Sequence, residues 1–222
     1  MDKTIGALRQ LLKLLHREQA RDWSPHRRSR KVPQRAQEVW EELSSRWWIP
    51  IGERELEKLL SASDELHLDL SDKVLYLPPL LDHNSDFVPV LSLKCDIDEK
   101  NEDVELRIML IHRHKDEHKL YGIGFRLESP EGKDSAHDFY HAQFIVGFGF
   151  GRDVDCPNWI PCTQPSFPLS ADSPITLLLT LLITLYGKNY CWQFYNKHSL
   201  AQKDMKRYMD RLQPWMNWPS LA

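Results

Sequence analysis

Four cysteines among 222 residues (Cys95, Cys156, Cys162 and Cys191) are too few for a disulfide scaffold. With no C-x-x-C pair, they point to a reduced, cytoplasmic protein. The start, Met1-Asp2-Lys3-Thr4, lacks the apolar run of a secretory leader. No hydrophobic stretch reaches the roughly 20 residues that span hydrocarbon, so no membrane partner is expected. G-x-S-x-G, Walker and Cys-His nucleophile patterns are absent, as are internal repeats and low-complexity tracts. The net charge is only −3, which argues against a dedicated nucleic-acid binder. What is there is 41% hydrophobic and 27% charged, enough for a real core and unlike disordered, collagenous or coiled-coil chains. The length suits one domain with an appendage or two small ones.

Charge divides the chain. Residues 1–35 hold ten Lys/Arg against three acids, a net of +7, so the remainder carries −10. Within the basic segment 26–35, Arg27, Arg28, Arg30, Lys31 and Arg35 form either a solvated loop or a weak phosphate contact, and the loop is the plainer reading. The opposing acidic stretch is D-I-D-E-K-N-E-D-V-E, residues 96–105. Such asymmetry points to a partner for one end.

Hydrophobic spacing predicts the helices. Thr4 can cap one whose stripe is Ile5, Leu8, Leu11, Leu12 and Leu15. A second runs from Gln34 to Arg46 with Ala36, Val39, Trp40 and Leu43 on one face, ended where Pro50 forces Ile49 out of the helical region. A third runs from Glu53 to about Ala62. A helix-turn-helix is disfavoured because Glu53, Glu55 and Glu57 outweigh Arg54 and Lys58, the wrong sign for a major groove. Ser173, Pro174 and Gly187 bound a Leu/Ile-rich helix (173–186), apolar nearly all round and therefore central to the core. Its Thr176/Thr180/Thr184 stripe is expected to allow close approach of a neighbour. A last helix, 199–213, starts at the Ser199/Gln202 capping box.

Between these helices, period-two alternation predicts strands at 90–97, 104–111, 120–128 and 139–151, joined by tight turns. The fold class expected is α+β: an N-terminal helical region (1–65), then an antiparallel meander within 66–222 with one face on the core and helices 173–186 and 199–213 packed against it.

Candidate chemistry gathers on histidines, six of which lie between His83 and His141. In H-D-F-Y-H-A-Q, His137, His141 and Gln143 share a face of the fourth strand or its approach. With Cys156 and Cys162 they offer ligand types that suit zinc. Histidines four apart on a strand sit about 13 Å apart, however, so a structural pair beside two buried thiols is the simpler expectation, with no cofactor. Glu131-Gly132-Lys133 with Asp116 matches a nuclease carboxylate–lysine set only in residue type. The glycines of G-F-G-F-G (147–151) precede no helix that could cradle an anion.

The segments G-F-R-L-E-S-P-E-G (124–132), H-D-F-Y-H-A-Q, P-S-F-P (165–168) and the Leu-rich helix resemble small bacterial accessory proteins of anti-phage defence operons, over roughly residues 87–190. The resemblance implies no fold, activity or site residue; it bears only on partners. The functional expectation is a non-enzymatic accessory or adaptor subunit of an intracellular complex, associated with nucleic acid directly or through its partners. Leu8, Leu12 and Leu15 of the first helix, with Trp215 and Trp218 of the tail, are the expected contacts to another subunit or a second copy. The alternative is a metal-dependent hydrolase or nuclease using His112, His114, His137 and His141.

Overall fold

The computed structural model describes residues 2–22, 32–46, 48–61, 65–70, 72–81, 86–98, 102–113, 119–130, 139–145, 154–155, 167–169, 171–197 and 210. The fold is α+β. Helices α1 (Asp2–Asp22), α2 (Gln34–Arg46), α3 (Glu53–Leu59) and α4 (Pro174–Lys197) pack on a sheet. Its strands are β1 (Ile49–Pro50), β2 (Leu66–Asp69), β3 (Lys73–Tyr76), β4 (Leu80–Leu81), β5 (Asp86–Ile97), β6 (Glu102–Arg113), β7 (Leu120–Glu128), β8 (His141–Ile145), β9 (Val154–Asp155) and β10 (Phe167–Pro168).

The four alternating runs do form the antiparallel meander β5-β6-β7-β8. Six short strands lengthen the sheet beyond it. Strands β2, β3 and β4 follow one another along the free edge of β5, with Leu68 opposite Cys95, Leu75 opposite Leu91 and Leu80 opposite Phe87. Between the first two, this edge chain takes up three residues more than β5 does. Strands β2, β3 and β4 thus act as one interrupted strand along β5, an irregularity of the kind that protects sheet edges. Next to β3, β1 runs parallel, and the Gln19 Oε1 of α1 accepts the Tyr76 backbone N–H at 2.7 Å, so that a buried donor is satisfied.

Both faces of the sheet are covered, where the sequence suggested one. Alternation puts Leu91, Leu93, Cys95, Ile97, Val104, Leu106, Ile108 and Leu127 into one core with α1, α3 and α4. The opposite side chains, Val88, Val90, Met109, Ile111 and Leu120, pack with Ala36, Val39 and Leu43 of α2 and with Trp48. The helical region 1–65 therefore does not stand apart: α1 and α3 share the larger core, and β1 lies within that region.

This overturns the expected role of the first helix. Leu8, Leu12 and Leu15 are buried in the chain's own core beside Leu178 and Leu182 of α4. Tertiary packing of an amphipathic face supplies most helical stability, and here the chain's own sheet and α4 provide that packing. Of the expected partner contacts, Trp215 and Trp218 lie outside the described residues.

Helix α4 starts as its sequence predicts. Thr176 N–H donates to Ser173 Oγ at 3.3 Å, and Pro174 occupies the first turn. Gly187 (φ 74°, ψ 163°) breaks the helical geometry, a conformation open to glycine, although helix resumes and continues to Lys197. The threonine stripe does not serve a close approach. Thr176 is buried but Thr184 is exposed, and the Thr180 and Thr184 hydroxyls donate back to Thr176 O and Thr180 O at 2.7 and 2.8 Å. No helix among the described residues is long and apolar enough to cross a membrane. The predicted helix 199–213 lies outside the described residues except for Asp210.

Candidate functional site: a charged ladder on the α2 side of the sheet

On the face that carries α2, the same strands change character towards the other end. Directly opposed residues share a face, which lets the register build the site. One row runs Ser92, Arg107, Arg126, Gln143, and the next runs Asp69, Lys94, Glu105, Glu128, His141. A close approach marks the boundary with the apolar half: a Cβ on Gly124 would collide with Met109 Sδ and come within 2.8 Å of Ile108 O. The space at 124 is taken by Met109, Ile145 and the Ile108 carbonyl, which leaves room for glycine alone.

The two arginines hold their own strands' carboxylates. Arg107 Nε pairs with Glu105 Oε1, and Arg126 Nε with Glu128 Oε2 at 2.9 Å. Arg126 also donates to Gln143 Oε1 at 2.7 Å. His141 is fully buried, its Nδ1 3.0 Å from Phe139 O and its Nε2 3.2 Å from Glu128 Oε2. A carbonyl only accepts, so Nδ1 carries a proton. Nε2 lies at ion-pair distance from Glu128 Oε2, without the geometry of a hydrogen bond.

Burial raises the Glu128 carboxyl above the ordinary value, Arg126 pulls it back, and Glu105 raises it again through charge and a side-chain hydrogen bond, against a smaller lowering by His141. Two carboxyls side by side do not readily both ionise, and here they face each other across β6 and β7. The arrangement can hold a proton and can present two adjacent guanidinium groups. The Ser92 hydroxyl in the first row is buried and donates to Leu70 O at 3.1 Å. Cys95 lies on the other face, buried, its thiol pushed up to about 12 by burial with help from Asp96, Asp103 and Glu102, so the reactive thiolate is suppressed.

Of the residues singled out in the sequence, His141 and Gln143 are brought together on one face of β8, as alternation predicts. His137, His114, Cys156 and Cys162 lie outside the described residues. His112 does not join His141, which corrects the proposed four-histidine cluster. It stands opposite Tyr121 on β7 and packs against the Phe87 and Tyr121 rings at 4.8 and 5.9 Å. Strand parity places it on the opposite face of the sheet from His141. Among the described residues no group of three or more His, Cys, Asp or Glu could hold a metal. Arg35 is exposed in the first turn of α2, and Arg27, Arg28, Arg30 and Lys31 lie outside the described residues.

Sequence reasoning missed Glu105, Arg107, Arg126 and Glu128. The signal is the mirrored pair E-L-R (105–107) and R-L-E (126–128), which antiparallel pairing turns into Glu on Glu and Arg on Arg. The chain matches no family model, no curated protein and no solved structure.

Proposed function

We propose that this chain is a non-enzymatic accessory or adaptor subunit of a larger intracellular complex, of the kind encoded with bacterial anti-phage defence systems, associated with nucleic acid chiefly through its partners. The observation that carries this reading is the self-contained state of the charged ladder. Glu105 and Glu128 are each engaged by an arginine, and the imidazole is wholly enclosed with one nitrogen held by a carbonyl. A general acid or base must reach the proton it moves, and the His141 side chain is closed off from solvent.

Exposed aromatics near β8, Phe139 next to His141 and Phe167 on the opposite face of the sheet, support docking rather than turnover. Phe139 (39% exposed) packs edge-on against His141, and Phe167 (46% exposed) packs against Phe144 at the β8/β10 edge. Aromatic side chains of this kind are enriched at protein interfaces. The test combines assembly with activity. Co-expression with the proteins encoded beside it should yield a stoichiometric complex that the double variant Phe139→Asp/Phe167→Asp no longer forms. Purified alone, the chain should not hydrolyse phosphomonoesters, DNA or RNA with Mg²⁺, Mn²⁺ or Zn²⁺. Metal-dependent hydrolysis that disappears in Glu128→Gln would overturn the proposal in favour of the hydrolase.

A further inference from the structure

Gly124 and Gly187 are glycines for different reasons. At 124 a Cβ has no room, whereas a Cβ on Gly187 would meet nothing within 4 Å. Gly187 is also exposed, so close packing does not require it. The backbone does: φ 74°, ψ 163° lies in a region essentially closed to residues with a side chain. It is the only positive-φ glycine among the described residues, and helix lies on both sides of it. Helical geometry at this one residue would make Pro174–Lys197 a single rod of about 36 Å. The part before the break is fixed. Leu177, Leu178, Leu179, Leu181 and Leu182 are buried in the larger core, and the Tyr186 hydroxyl donates to Pro78 O at 2.7 Å. Straightening therefore swings the chain from Lys188 onward and leaves the body of the fold in place.

We propose that Gly187 is a hinge through which two copies of the chain exchange the segment from Lys188 onward. In the exchanged dimer α4 is continuous, and each copy seats the other's segment in the place of its own. No new complementary surface is needed, which makes exchange a low-cost route to a dimer. The connection between the two helical parts is a single residue, and short connections under strain invite exchange. The segment begins K-N-Y-C-W-Q-F-Y-N-K, with Tyr190, Trp192, Phe194 and Tyr195 in its helical part. Carried out on a straight α4, that much aromatic surface is tolerable only when something covers it. A second copy is the occupant this geometry selects, because its vacated place already fits the same segment. The exchange does not use the Phe139 and Phe167 contacts of the adaptor proposal, so either can fail alone.

Light scattering of the full chain after refolding from denaturant, at low and at high protein concentration, tests the hinge. The wild type should give monomer when refolded dilute and a fraction of dimer when refolded concentrated. Gly187→Ala fits the space but not the dihedral and favours helix, so its dimer-to-monomer ratio should rise roughly tenfold. Thr184→Ala, which raises helix propensity in the same helix without touching the hinge, should leave the ratio unchanged. Dilution separates exchange from surface contact. An exchanged dimer must unseat its segment to dissociate, so it should persist for hours after dilution and revert to monomer when warmed towards its melting transition. The proposal is overturned if folded Gly187→Ala gives no more dimer than the wild type, or if its dimer falls apart within minutes of dilution. Should Gly187→Ala fail to fold, the wild type decides: no persistent dimer after concentrated refolding overturns the proposal equally.

Discussion

Along β6, Met109 and Ile111 lie under α2 in a closed apolar layer, whereas Glu105 and Arg107, on the same strand and the same face, stand in a charged ladder. The strands are continuous through both halves and the pairing does not change. What differs is the covering element. Over one half, Ala36, Val39 and Leu43 of α2 and the Trp48 side chain exclude water. Over the other, the charged groups satisfy one another and remain partly wet. Alternation thus assigns a side chain to a face, but the element packed on that face decides whether an apolar or a charged residue is stable there.

Removing the apolar cover should have the largest effect. Leu43→Ala leaves a cavity between α2 and the sheet and is expected to destabilise the chain by about 2–4 kcal/mol, read from urea unfolding. A cost no greater than that of Glu105→Gln would erase the distinction between the two halves.

The pH dependence of stability sharpens the comparison at an intermediate scale. Because the Glu128 carboxyl is raised in the folded chain, the folded state holds its proton more tightly than the unfolded state does. The stabilisation is complete below the ordinary carboxyl value of 4.5 and is lost as pH rises through the elevated one. The melting temperature should fall across that window in the wild type and fall less steeply in Glu128→Gln, which stays neutral throughout. Leu43→Ala should shift the whole curve without changing this slope. Identical slopes for wild type and Glu128→Gln would remove Glu128 as the titrating group.

The smallest effect belongs to the polar clasp at the rim of the apolar half, where Arg113 of β6 pairs with Glu42 of α2. Partly exposed pairs of this kind contribute roughly 0.2–1 kcal/mol. Glu42→Gln should therefore cost under about 1 kcal/mol, and less at high salt. A larger loss would mean that α2 is held by charge as much as by Leu43 and Val39.

Local pattern alone determined the elements that are long enough to carry a period. Helix α2 spans Gln34–Arg46 and β7 spans Leu120–Glu128, with the bounds their spacing predicts. Ser173 and Gly187 mark the start and the break of α4 for the reasons their side chains, or lack of one, imply. Alternation also placed His141 and Gln143 on one face. Only the tertiary structure decided the rest. Strands of two to four residues, such as β1, β3 and β10, are too short to show a period and exist because β3, β5 and β8, respectively, offer them an edge. The Ile5/Leu8/Leu12/Leu15 stripe identifies an apolar helix face without saying whether another chain or this one covers it, and α4 with the sheet settles that. The charged ladder depends most on tertiary structure. E-L-R and R-L-E are neutral, unremarked tripeptides on their own strands, and a two-residue shift of register would pair Glu with Arg instead of like with like. Register is set by the hydrophobic pairing of whole strands across the sheet, which no local window of the sequence contains.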